Sequence, residues 1–267
     1  MAGKELYMRT DGEKDLYIKT GLDPWDTCMG GLKKGSLFLL GSRPSHGKTI
    51  FSLNIACQST LNGPYNTLFF SLEMDKGRIY QRLYAIANNT PYKQCPTDKN
   101  LLERDFKPKA ALVIDDKPMP NVEEICTRAD QMAEELKTQG KQLDLMIVDY
   151  LELMRPSDPT LSLGDSFKQK LQRLKVLAQK LNIAILVLSQ VSRSTTPYGI
   201  QEDLPDLSGF RNMDDGTFEL VDGLGMLYRP LQTTEALLIV KKSPSGFKDK
   251  IPLSFDKDTF IFSAEGI

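Results

Sequence analysis

Gly47, Lys48 and Thr49 close a tight loop, Ser42-Arg43-Pro44-Ser45-His46-Gly47, that follows the apolar run at residues 37–40 and opens an apolar-periodic stretch from Ile50 onward. A short strand, a glycine-bearing turn and a helix start, in that order, gather inward-pointing backbone N–H groups and the positive end of a helix around one point. That arrangement suits a polyphosphate. In such a loop the lysine reaches the outer phosphates and the Thr49 hydroxyl sits on Mg²⁺, so Ser42, Arg43, Pro44, Ser45, His46, Gly47, Lys48, Thr49 and Ile50 are read as the nucleotide-binding segment. One departure is visible: the usual spacing G-x-x-x-x-G-K-[ST] begins with a glycine where this chain has Ser42, and Gly41 stands one residue early.

A phosphate cage hydrolyses nothing without an acid to hold the metal and a group to orient water. In "LDLMIVDYLEL" an apolar run ends at Asp149, which places a carboxylate at the carboxyl end of a buried strand, where open α/β sheets bind their ligands. Asp149 is therefore the expected Mg²⁺ acid, acting through water. Glu73 follows the apolar run of "TLFFSLEM" in the same way and is the expected catalytic base. "ILVLSQ" ends at Gln190, whose amide suits sensing of the terminal phosphate.

These residues need a scaffold that brings several strand ends to one edge. Apolar runs at residues 36–40, 67–72, 111–114, 143–149 and 183–189 alternate with helical patterns at 48–61, 76–88, 122–138 and 166–180, the signature of a mostly parallel sheet flanked by helices. The last helix interleaves Phe167, Leu171, Leu174 and Leu177 with Lys168, Lys170, Arg173, Lys175 and Lys180, a pattern read as a solvated face. Four later runs, "VDGLGMLYR", "EALLIVKK", "KIPLSF" and "TFIFS", are expected as shorter strands closing the sheet. The expected organisation is an N-terminal extension or linker at residues 1–20 and one α/β domain at 21–267.

Composition bounds the rest. The 267 residues carry a net charge of −1, so any nucleic-acid contact must come from local loops or converging subunits rather than bulk charge. Cys28, Cys57, Cys95 and Cys126 lack zinc-type spacing, and His46 is the single histidine, which excludes a zinc site and points to a reducing compartment. The first twenty residues are too charged for a signal peptide and no apolar run is long enough to span a membrane. A cytoplasmic protein with no membrane partner is expected.

With "TGLDPWDTCMGGLKKGSLFLLGSRPSHGKT", "FFSLEM", "QRL", "VIDDKP", "IVDYLELM", "LNIAILVLSQVSR" and "LYR" in order, the chain resembles the motor domain of DnaB-type replicative helicases, a ring-forming RecA-like family. The resemblance implies a P-loop NTPase fold, ATP and Mg²⁺ at Lys48 and Thr49, Glu73 as catalytic glutamate, Asp149 as metal acid and Gln190 as sensor. It adds Arg82, in "QRL", to the nucleotide site. It further implies single-stranded DNA gripped by a central loop, carried over onto Arg211 and Gly216, a homo-oligomeric ring, hexameric in the family, and primase or a helicase loader as partners.

Three departures qualify the carry-over. Glu152 replaces the family's glutamine in "DYLQLM"; Asp214 and Asp215 intrude on the DNA-gripping segment; and "KKSPSG" keeps Lys241 but has Ser243 where the family places an arginine that reaches the neighbouring subunit's site. Lys241 is left as the expected trans-acting cation. A second class, a RecA-fold accessory or loader ATPase without processive unwinding, fits those departures.

Overall fold

The computed structural model describes residues 16–98, 100, 106–192, 204–205, 207–210 and 213–264. Among these, the chain forms β1 (Tyr17–Ile18), α1 (Asp23–Met29), β2 (Leu32–Lys33), β3 (Leu37–Ser42), α2 (Lys48–Cys57), β4 (Asn66–Ser71), α3 (Lys76–Asn88), β5 (Leu112–Asp115) and α4 (Val122–Lys137). It continues with β6 (Leu143–Asp149), α5 (Leu163–Leu181), β7 (Ala184–Gln190), α6 (Asp215–Glu219), β8 (Gly223–Tyr228), β9 (Glu235–Lys242), β10 (Lys250–Asp256) and β11 (Ile261–Ala264).

The main sheet runs β11-β10-β9-β8-β3-β7-β6-β4-β5. From β8 to β5 every neighbouring pair is parallel, whereas β9, β10 and β11 add an antiparallel extension. Side chains alternate between faces, as a pleated strand demands. Leu37 and Leu39 face α4 and α5 with Val122, Ile125, Leu171 and Leu174. Phe38 and Leu40 face α1, α2 and α3 with Trp25, Phe51, Ile79 and Leu83. The parallel strands are buried on both faces and so read as unbroken apolar runs.

Local chemistry sets the helix limits. Asn121 and Glu124 form a reciprocal capping box that starts α4. Ser162 accepts from the Asp165 N–H and starts α5 a few residues before the apolar period becomes visible. The helix expected at 48–61 is α only to Cys57, and then widens into a π turn, Gln58–Asn62. There Ser59 and Thr60 both donate hydroxyls back to the Ala56 carbonyl, which competes with the regular helical pattern.

Two expectations need amendment. Tyr17, Ile18 and Thr20, within the segment read as an extension, are buried, and β1 pairs with β2. The basic face of α5 is only partly solvated: Arg173 and Lys180 are exposed and pair with Glu123 and Asp130, and Lys175 pairs with Asp222, but Lys170 is 3% exposed and donates to the Met154 carbonyl.

Candidate functional site

The carboxyl ends of β3, β4, β6 and β7 share one rim, because Ser42 is in register with Gln190 and Ser71 with Asp149. Every strand end singled out in the sequence therefore arrives at the same edge. The loop leaving β3 turns through Ser45 (φ 65°) and Gly47 (φ 95°), both left-handed. Gly47 is the N-cap of α2 with no side chain bonded to the helix end, so the first N–H groups of α2 face outward. Ser42 is not among the positive-φ residues and continues β3, which is why a serine is tolerated there. Gly41 has a separate cause. A Cβ at that position would lie 2.3 Å from the Phe210 ring, so the glycine makes room for the chain that follows β7.

Lys48 is buried at the mouth of the loop, its Nζ 3.5 Å from Glu73 Oε2 and 4.2 Å from the centre of the Tyr150 ring. Glu73 itself is half exposed, its side chain 48% accessible. The turn that carries it is shaped by the Ser71 hydroxyl donating to the Met74 carbonyl at 2.6 Å. Asp149 is wholly buried, and neither carboxylate oxygen completes a hydrogen bond of normal geometry. Burial pushes its carboxyl up to about 6, against the pull of Lys48 and the Thr49 hydroxyl. A buried carboxylate with both oxygens unsatisfied, facing a threonine hydroxyl and a lysine, fits the donor set of a hydrated Mg²⁺. Arg82 lies close enough to Asp149 and Glu73 to interact with both charges, and burial lowers its guanidinium below the ordinary value.

Gln190 ends β7 with its side chain exposed at the rim. Its backbone N–H donates to Glu152 Oε1 at 2.9 Å, and the Ser189 hydroxyl donates to the same oxygen at 2.5 Å. Burial raises the Glu152 carboxyl above its usual range.

Lys241 is not brought to this rim. β8 runs parallel to β3 and β9 antiparallel to β8, so β9 ends with Lys241 and Lys242 at the opposite rim, with a register shift that leaves Lys241 between the Gly225↔Val240 and Leu224↔Lys242 pairs. Ser243 is 9% exposed and donates to the Phe247 carbonyl at 2.8 Å, so it is built into a turn that an arginine would have to open. Gly216 sits in α6, which Asp214 caps by accepting from the Thr217 N–H and hydroxyl. That gives Asp214 a structural task the sequence did not reveal. Arg211 lies outside the described residues.

Three contributors carried no decisive sequence signal. Tyr150 supplies the aromatic face under Lys48. Arg229, at the end of the quoted "LYR", donates through Nη2 to the Ser45 carbonyl at 2.8 Å and through its backbone N–H to His46 Nδ1 at 3.3 Å, bracing the phosphate loop from β8. Phe210 packs under Gly41. Each is placed by segments distant in sequence meeting, which no local spacing encodes.

The family described as the DnaB-like helicase C terminal domain matches residues 17–264. The replicative DNA helicase DnaB of Treponema pallidum (strain Nichols) is 32% identical over 256 residues, which are 92% of this chain and 56% of that protein. Among solved structures, one described as an ATPase domain superposes with a TM-score of 0.78 at 25% identity, covering 94% of this chain and 93% of that one. A DnaB-like replicative helicase described together with its interactions with primase has a TM-score of 0.76 at 24% identity, over 93% of this chain and 62% of that one. The fold is RecA-like, and the chain spans about half the length of the curated relatives it matches. The chain belongs to the DnaB-like helicase C-terminal domain family.

Proposed function

We propose, from that membership, that this chain is the ATP-hydrolysing motor of a replicative DNA helicase, formed by residues 21–267 together with the buried β1 segment that precedes them. It works in the cytoplasm as a ring of identical subunits, six by family resemblance, that moves along single-stranded DNA. The observation that supports this best is the buried, unsatisfied Asp149 carboxylate beside Thr49 and Lys48 at the mouth of an uncapped helix. A Mg²⁺-nucleotide supplies both the charge and the hydrogen-bond partners that this arrangement calls for.

In this reading Lys48 holds the β- and γ-phosphates and follows the charge that develops on the transferred group. Glu73, half exposed above it, accepts a proton from the attacking water. Thr49 and Asp149 would hold the metal, which when bound would neutralise phosphate charge. Gln190 reports the terminal phosphate to the segment that leaves β7. Arg82 steadies the acidic pair, and Lys241 of a neighbouring subunit supplies the trans cation. DNA is held through Arg211 and the chain near Gly216. Primase is the partner suggested by the relative described with it, and a loader is the alternative at the same stage.

The test is size measurement with and without ATP, followed by unwinding of forked DNA, on wild type and Lys48→Ala. A ring that unwinds, and a folded Lys48→Ala chain with turnover abolished, are expected. A wild-type monomer that binds ATP without unwinding would return the accessory-ATPase reading, and normal turnover in Lys48→Ala would overturn the phosphate-loop assignment.

A further inference from the structure

The β6–β7 ladder stops at Val148↔Val187, because the chain leaves β6 after Asp149 and enters the short turn Leu151–Leu153. On its other side β7 stays paired with β3 as far as Gln190. The last residues of β7 are thus supported on one flank only. Glu152, on that turn, reaches back across the gap and takes both the Ser189 hydroxyl and the Gln190 N–H on a single oxygen, Oε1. Its second oxygen, Oε2, is buried without a hydrogen-bond partner. Immediately beyond, the Val191 N–H donates to the Ser42 carbonyl and the Ser192 N–H to the Gly209 carbonyl, both at 2.8 Å. Of these three ties, the one made by Glu152 is the one that connects β7 to the segment carrying Asp149.

We infer that Glu152 is a positioning residue that sets the Gln190 side chain toward the terminal phosphate, joining the metal-holding end of β6 to the exit of β7. This rests on the ATPase reading above. The requirement is geometric rather than electrostatic: one acceptor oxygen at the right reach for two donors, which a glutamine oxygen meets as well as a carboxylate. A shorter acid keeps the charge but withdraws the oxygen by one methylene. A misplacement on the scale of 1 Å at a reacting centre can cost up to ~100-fold in rate.

The experiment is steady-state ATP hydrolysis by the full chain, with single-stranded DNA present and absent, for Glu152→Gln, Glu152→Asp, Glu152→Ala, Gln190→Ala and Glu152→Ala/Gln190→Ala. Glu152→Gln is expected to keep kcat within about threefold of wild type, while Glu152→Asp and Glu152→Ala lower kcat about tenfold or more and leave the KM for ATP within about twofold. In the Gln190→Ala background, Glu152→Ala is expected to cost nothing further, because residues acting through one another are not additive. If Glu152→Ala does not fold, Glu152→Asp carries the same comparison. Equal losses in both backgrounds, a defective Glu152→Gln beside a normal Glu152→Asp, or silent variants throughout would overturn the inference. Lys48→Ala in the same assay separates the two levels. If it leaves turnover intact, the ATPase reading falls; if it abolishes turnover while the Glu152 variants are silent, this inference alone falls.

Discussion

Strand β6 carries an aspartate near each end, both essentially inaccessible to solvent, and the two are treated in opposite ways. Asp144, on the rim away from the phosphate loop, accepts from Lys34 Nζ at 2.7 Å, Gln142 Nε2 at 2.9 Å and the Asn66 N–H at 2.9 Å. Asp149, the last residue of the same strand, has no completed hydrogen bond at either oxygen. Asp222 repeats the first pattern on the far rim, accepting from the Leu37 N–H and pairing with Lys175. Within the same sheet one edge is closed with its own partners and the other is left to be completed from outside. Unsatisfied buried charge opposes folding, so its retention at the strand ends above the loop marks where a ligand belongs.

The contrast is broken most forcefully by removing the far carboxylate. Asp144→Ala leaves the buried Lys34 ammonium without its carboxylate and the Asn66 N–H without its acceptor, and is expected to cost about 3–5 kcal/mol in urea unfolding. Asp149→Asn, which removes no completed hydrogen bond, is expected to leave stability unchanged or improved while abolishing Mg²⁺-dependent turnover. Comparable destabilisation by both would mean that the rims do not differ. Glu73→Gln keeps the side-chain shape but loses the basic oxygen, so ATP binding should persist while hydrolysis falls by about 100-fold; parallel loss of binding and turnover would assign Glu73 a structural part instead.

Lys241 lies at the closed rim yet is proposed to serve the open rim of another subunit. Lys241→Ala should lower turnover about tenfold at concentrations where rings form, with wild-type activity per subunit itself falling on dilution. Activity that ignores both dilution and the substitution would remove it from the site.

The smallest effect sharpens the comparison from the other side. Glu124 stands at the start of α4, just after β5, but is fully partnered by Lys117, the Asn121 N–H and Arg155. The Lys117 bond, then the Asn121 N–H, hold its carboxyl down at about 2. A depressed folded value stabilises above the unfolded value and is lost as pH falls through about 2. The gap in thermal midpoint between wild type and Glu124→Gln should therefore be widest near neutral pH and narrow steadily on acidification below the ordinary glutamate range. A gap independent of pH would show that charge at Glu124 contributes nothing.

Much of the open rim was legible in sequence because Glu73, Asp149 and Gln190 each end an apolar run, while Lys48 closes the Gly47-Lys48-Thr49 turn after one, and these are local properties. The parallel sheet was legible for the same reason, and its strand limits moved by at most a few residues. What stayed hidden depends on contacts between distant segments. Arg229 reaches the phosphate loop only because β8 lies beside β3, and Gly41 is a glycine because Phe210 folds under it. The burial of Lys170 on α5 was not legible, since a helix face rich in lysine reads the same whether one member points to water or to the Met154 carbonyl. Ser243 aligned with an arginine by letter, whereas its burial in the turn after β9 could come only from the fold.

The reversal of direction between β8 and β9 has a consequence for symmetry. In the ring proposed above, a cation offered from one rim and received at the other would make each contact head-to-tail. Every interface would then point the same way around the circuit, and the order in which neighbouring sites complete one another would be fixed by chirality.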